Sequence, residues 1–370
     1  MSEHEHWLVT GFPALRARTF VRHALAARPE VALVLVVHSA LRGRAEQVLS
    51  TLPAAARARV DLLSGNPAAI DFGLSGASYL ALAGRVARIH HFYHSQSYSL
   101  DEREARQLNV GGVREVIEFA RACVGLRRLV HHSTVFVSGN RTGIVMEDEL
   151  ERGQSFRSSA EESLALCEAM LQRVRPSLPL TIVRSAQVVG DSKSGEFDRL
   201  DGPYPLLAFL ASAPDEVALP LPASAATLHL VPVDFVAAAG VELGDRPQAE
   251  GETVQLVDPR PMSARRFVEL SAELSGKRLV PGLAPAPLTK TLRNNPGLRQ
   301  LAGQLRPLQS LLTTPVSYDD RVALELLAGS GIECPPLEAY LPVLVREVQA
   351  RARSGTLFDE LPEDGPHLVS

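Results

Sequence analysis

Trp7-Leu8-Val9-Thr10-Gly11-Phe12-Pro13-Ala14-Leu15-Arg16-Ala17 carries a short apolar run through a glycine-marked turn into a helix. Apolar runs of the same kind recur at Val31 to Val37, Val60-Asp61-Leu62-Leu63, Val86 to Phe92, Arg128 to Ser133 and Leu180 to Val189. Runs this short, rich in Val, Leu and Ile, read as buried strands. Helical patterns separate them. From about Asp101 to Val124, Leu108, Val113, Val116, Ile117 and Ala120 share one face, and a second helix is expected over Ser158 to Val174. Strand and helix in alternation predict an α/β fold built on a doubly wound parallel sheet, covered on both faces, of the kind that holds nucleotides.

Past Gly190 the pattern changes. Proline and glycine thicken around Asp201-Gly202-Pro203 and Leu219-Pro220-Leu221-Pro222, and Thr253 to Asp258 reads as one more sheet strand. Helical segments follow at Ser263 to Ser275, Leu288 to Leu312, Tyr318 to Ala328 and Pro336 to Arg353. The division expected is a main domain over 1–190, with a return segment at about 231–260. A smaller, mainly helical substrate region would comprise 191–230 and 261–353, followed by a disordered tail over 354–370. The stretch from Leu288 to Leu312 is amphipathic, and a helix capping a substrate cleft is its expected role, ahead of a membrane or carrier-protein contact.

Composition excludes several classes. The chain has 370 residues, 45% hydrophobic and 22% charged, with a formal charge of -4 and 5% aromatics. That leaves no basic field and few stacking platforms for nucleic acid. Of the 38 basic residues only Lys193, Lys277 and Lys290 are lysine. Cys123, Cys167 and Cys334 lack paired spacing, which fits a reducing cytoplasm. No apolar run reaches membrane-spanning length, and the polar start of the chain predicts no signal peptide.

The chain also carries Asn109-Val110-x-Gly112, Ser133-Thr134, Asp191-Ser192-x-x-Gly195-Glu196, Asp201-Gly202-Pro203-Tyr204, Val231-Pro232-Val233-Asp234, Tyr318-Asp319 and Gly331-Ile332-x-Cys334-Pro335-Pro336. On these motifs it resembles the extended short-chain dehydrogenase/reductase family, with its NAD(P)-binding Rossmann-type fold, and within it the branch that includes fatty-acyl and carrier-bound thioester reductases. The resemblance covers roughly residues 7 to 350. It implies a cofactor, NADP or NAD, held at Thr10, Gly11, Phe12, Pro13, Arg42, Asn66, Asn109 and Arg184. It does not discriminate between the two nucleotides, because His38 replaces the usual basic residue while Arg42 and Arg44 lie close by.

The family's chemistry has eroded. Its Thr-Gly-x-x-Gly-x-x-Gly turn keeps the first glycine, and Ala14 and Ala17 stand at the other two. A His-x-Ala-Ala strand end reads His91-Phe92-Tyr93-His94, and the proline after Arg184 is Ser185. The Tyr-x-x-x-Lys pair is replaced by Ala160 and Leu164, and no such pair exists anywhere in the chain. In the family the tyrosine carries the proton to or from the reacting oxygen while the lysine lowers its pKa and holds the ribose.

Three functions follow as expectations. The leading one is a catalytically silent or regulatory member that binds a small-molecule or acyl-type ligand. The second is an active NADP-dependent reductase of a thioester, aldehyde or ketone, with Ser133 and a displaced acid, His94 or Tyr93. The third is a structural partner, as a homodimer or a heteromer with an intact paralogue, through the helices at 101–124 and 158–174. The adjacent pairs His90-His91 and His131-His132 suggest a metal, but strand alternation turns successive side chains to opposite faces, so no metal site is expected.

Overall fold

The computed structural model describes residues 4–219, 221–222, 226–280 and 305–357. Seven parallel strands form the main sheet: β1 (Glu5–Thr10), β2 (Val31–Val37), β3 (Val60–Ser64), β4 (Val86–His91), β5 (Arg128–Thr134), β6 (Leu180–Ser185) and β7 (Thr253–Leu256). Their spatial order is β7-β6-β5-β4-β1-β2-β3. The doubly wound α/β sheet expected from the sequence is therefore present, and its winding reverses between β1 and β4. Parallel strands need covered faces, and the apolar residues of these strands serve both.

On one face, helix α1 (Leu15–Ala27) buries Phe20, Val21 and Ala24. They share a core with Trp7, Leu33, Leu35 and Phe92, joined by Ala237 and Val241. These last two lie on a helix that follows β6 in the chain, Val233–Asp245. On the other face, α2 (Gly111–Ala122) and α3 (Ser159–Val174) pack Val113, Val116, Phe119, Cys167 and Leu171 onto Leu8, Ile89, Leu129 and Ile182. Before α2, the short helix Glu102–Ala105 and a π turn, Arg106–Val110, run on without a break.

The expected strand over 180–189 is two elements. Backbone pairing to β5 ends at Ser185, and Gln187–Val189 leaves the sheet to pair with Leu230–Pro232. Beyond it a separate core gathers Phe197, Tyr204, Leu207, Phe267, Tyr340 and Leu344. The expected helix over 318–328 begins later, at Arg321, because Val316–Tyr318 pairs with Gly143–Val145 as a strand. Of the stretch 288–312, residues 288–304 lie outside the described ones, and a helix spans Leu305–Thr313. The last helix runs from Leu337 to Ser354, Leu357 is buried, and the remainder of the expected tail, 358–370, is outside the described residues.

Candidate functional site

Two places at the C-terminal edge of the sheet bear on ligand binding. One is the crevice where the winding reverses, outside the ends of β1 and β4, the usual ligand position of such sheets. The other is a narrow cleft of about 90 Å³, beyond the end of β5 and along the 187–202 segment.

The crevice is crowded. Gly11 has φ 87, and a Cβ there would stand 2.9 Å from the backbone of Phe92, so only glycine lets the turn pass. Thr10 Oγ1 bonds His91 Nδ1 at 2.9 Å and accepts the Tyr93 backbone N–H at 3.3 Å. Phe12 and Pro13 are buried, and Pro13 has no N–H to offer a phosphate. The Ala14 N–H is taken by the Gly11 carbonyl at 3.1 Å. Arg16, in the first turn of α1, sends its guanidinium across the sheet edge. It donates to His94 Nε2 at 3.0 Å, and to the Ser133 carbonyl and Ser185 hydroxyl at 3.2 Å each.

Around it lie five fully buried imidazoles. His90 and His132 share a hydrogen bond of 3.2 Å, and the His91 and His131 rings stack at 5.4 Å. Alternation does separate neighbours in sequence, but it brings each histidine against one on the adjacent strand. Among the described residues no group of three or more His, Cys, Asp or Glu side chains is placed to hold a metal. Burial holds all five histidines below their ordinary pKa, His91 at about 3. They are therefore neutral. Burial also lowers Arg16, to about 10.

The other cofactor positions scatter. Arg42, exposed beyond β2, pairs with Glu46 at 2.9 Å and with the Ser64 hydroxyl at 2.8 Å. Asn66 Oδ1 accepts the Ala68 N–H at 3.0 Å in a local turn. Asn109 sits in the π turn, where it accepts from the Ser95 N–H at 2.7 Å and donates to the Ser163 hydroxyl at 2.8 Å. Arg184 is buried beneath the edge, bound to Glu168 at 2.7 Å and to the Glu149 carbonyl at 2.9 Å.

The expected catalytic positions are also placed. Ser133 is buried, and its hydroxyl donates to Glu168 Oε1 at 2.5 Å. Tyr93 is buried against Gly112, and His94 is engaged by Arg16 and by Gln96 at 3.3 Å. Neither Tyr93 nor His94 lines the cleft. Ala160 is buried in the first turn of α3. Leu164 lines the cleft and packs with Val137, Leu150 and Ala165, an apolar neighbourhood.

The cleft has polar groups of its own that sequence reading did not single out. Ser158 caps α3, and the carboxylate of Glu161 accepts from the Tyr98 hydroxyl at 2.8 Å and from the Arg157 N–H at 2.9 Å. Burial, then Glu161, raises the Tyr98 pKa. His229 lies edge-on to Tyr318 at 5.1 Å, and burial lowers it to about 4. At the mouth Arg199 pairs with Asp201 at 3.3 Å. Leu311, Ser310 and Thr314 line the cleft from the Leu305–Thr313 helix and the residue just beyond it. Arg16 and Glu168 were also missed. The signal for Arg16 was an arginine inside the glycine turn; Glu168 gave none beyond a carboxylate on a buried helix face.

A reversed parallel sheet with a cleft beside its switch point is the frame of nucleotide-dependent reductases. The family model described as male sterility protein, an NAD-binding family, matches residues 9–240. The chain belongs to that family, within the extended short-chain dehydrogenase/reductases of thioester-reductase type, as the sequence motifs implied. It is 27% identical over 220 residues to the glycine betaine reductase ATRR of Emericella nidulans, which covers 57% of this chain and 17% of that protein. The chain thus spans under a fifth of that curated relative's length. In fold it is similar to the terminal R domain of the myxalamid PKS-NRPS biosynthetic pathway, with TM-score 0.82, 23% identity, and coverage of 95% of this chain and 92% of that one. It is also similar to the reductase (R) domain of a nonribosomal peptide synthetase from Mycobacterium tuberculosis, with TM-score 0.74, 19% identity and coverage of 96% and 93%.

Family membership implies a nicotinamide dinucleotide in the crevice. As the side chains stand, they do not fit one. The guanidinium of Arg16 bridges the edge from α1 to the ends of β5 and β6, and the turn that should cradle the pyrophosphate lacks free N–H groups at 13 and 14. No helix among the described residues is long and apolar enough to cross a membrane.

Proposed function

We propose that this chain is a catalytically silent member of its family that binds a small, uncharged or acyl-type ligand in the cleft. The observation that carries the reading is at α3. Ala160 offers no proton, and Leu164 turns an apolar side chain to the cleft wall, where a cation would otherwise stand. Supporting it, the Ser133 hydroxyl is committed to Glu168, and His94 accepts from Arg16. A general acid or base typically contributes about 10²–10⁴ in rate, and the loss of both family groups removes that contribution.

The cleft itself suits a ligand of low charge. Its carboxylates are matched within the wall, Glu161 to Arg157 and Asp201 to Arg199, and His229 is neutral. Val135, Phe136, Leu164, Leu311 and Val316 provide apolar contact between these polar groups. Mixing the purified chain with NADPH and an aldehyde, and separately with an acyl-CoA, tests the silent reading. The expected result is no NADPH consumption above the buffer rate; sustained turnover by the unmodified chain overturns it.

A further inference from the structure

The departures from the family pattern in the crevice converge on one side chain. His94 stands where the family has a small residue at the end of the fourth strand, and Ser185 where it has proline. Both are hydrogen-bond partners of Arg16, at 3.0 and 3.2 Å. An alanine at 94 has no ring nitrogen and a proline at 185 has no hydroxyl, so neither anchor exists without those departures. Ser185 also donates to the Ser133 carbonyl at 3.3 Å, the same oxygen that accepts from Arg16 at 3.2 Å. The guanidinium carbon lies 6.0 Å from the centre of the Phe92 ring, another large residue on this strand end. Three strand ends, β4, β5 and β6, are thus tied to α1 through one arginine.

The geometry requires His94 to be neutral with Nε2 as acceptor, since both Arg16 and the Gln96 amide approach that atom. Its depressed pKa agrees, with burial and then the charge of Arg16 as causes. Among the described residues no carboxylate pairs with Arg16. A guanidinium buried among neutral partners is held by hydrogen bonds to a carbonyl, a hydroxyl and an imidazole, and all must break before anything else can occupy its place.

We infer that Arg16, with His94 and Ser185 as its anchors, is a built-in plug that closes the nicotinamide end of the crevice and sets whether this chain accepts a dinucleotide. The inference deepens the silent reading above and rests on it for the absence of turnover, but it concerns uptake alone. The outer side of α1 reinforces the plug. Arg18 pairs with Glu196 at 2.8 Å and Asp198 at 2.6 Å, and Arg22 pairs with Glu196 at 2.9 Å. These contacts hold the segment after Gly190 against the first turns of the helix.

The test is an NADPH titration followed by nucleotide fluorescence, on the unmodified chain and on Arg16→Leu, with folding of each checked by circular dichroism. The unmodified chain is expected to show no saturable binding at about 1 mM, and Arg16→Leu to bind at least about tenfold more tightly. Should Arg16→Leu fail to fold, His94→Ala with Ser185→Pro removes the anchors instead, and the same gain is expected. Micromolar binding by the unmodified chain overturns the plug, as does a folded variant that binds no better. Uptake by the variant without NADPH consumption leaves both the plug and the silent reading standing. Failure of uptake sinks the plug alone. Consumption by the unmodified chain sinks both.

Discussion

Ser133 and Glu168 are joined by a hydrogen bond of 2.5 Å in which the serine hydroxyl donates, and both side chains are fully buried. The same carboxylate binds Arg184 through two nitrogens, at 2.9 and 2.7 Å. A hydroxyl that could orient a carbonyl is therefore spent on a structural ion pair beneath the sheet edge. Ser133→Ala is expected to lower stability by about 1.5–3 kcal/mol, the worth of a hydrogen bond to a charged group. Glu168→Ala leaves the Arg184 guanidinium buried and unpaired, with an expected loss of about 3–5 kcal/mol. Urea unfolding midpoints read both. If Ser133→Ala left the midpoint unmoved but abolished ligand binding, the serine would belong to the cleft after all.

Gly240 lies on the helix Val233–Asp245 against the imidazole of His132, and an added Cβ would approach its Cε1 to 2.8 Å. Gly244, one turn on, meets His90 in the same way. Gly240→Ala is expected to cost about 1–3 kcal/mol by overpacking. Combining it with His132→Ala relieves the clash, so a double-mutant cycle will show coupling rather than simple addition.

The buried histidines set the pH dependence. Their folded pKa values lie below the unfolded value of 6.5, with His91 at about 3. The unfolded chain therefore takes up protons first as pH falls. Stability is complete above about pH 6.5 and declines below it, each histidine adding a slope of up to roughly 1.4 kcal/mol per pH unit until its folded pKa is reached. His131, buried and with neither ring nitrogen hydrogen-bonded, is the informative one. His131→Phe is expected to be more stable than the unmodified chain at pH 5, and unfolding curves at pH 5 and 7.5 make the comparison. A pH-independent difference would show that His131 does not titrate on unfolding.

Ala160→Tyr with Leu164→Lys, made together, restores the family's pair in name only. Both positions are buried, and the lysine would enter a wall formed with Val137 and Leu150. With Arg16 untouched, NADPH affinity is expected to stay where it was and no turnover to appear. Adding Arg16→Leu to the pair is the combination in which nucleotide fluorescence should respond.

Much of this was legible in the sequence. The strands declare themselves because parallel strands buried on two faces are apolar throughout, as in Val31 to Val37. The break after Ser185 was not legible, since Gln187-Val188-Val189 carries the same apolar signal while pairing elsewhere. The strand at Val316–Tyr318 was hidden for the same reason, because its partner at Gly143–Val145 is distant in sequence. In the site, lost residues were visible as exchanges at fixed positions. What replaced them was not, since Arg16 meets His94 and Ser185 across 78 and 169 residues. Tyr98 and Glu161 met the same obstacle across 63 residues.

The ties from Arg18 and Arg22 to Glu196 and Asp198 have a mechanical consequence. Arg18 and Asp198 are largely shielded from water, so their contact resists salt better than surface pairs do. They fasten the first helix of the sheet to the segment that leads into the second core. The two halves cannot swing apart at this point without rupturing them.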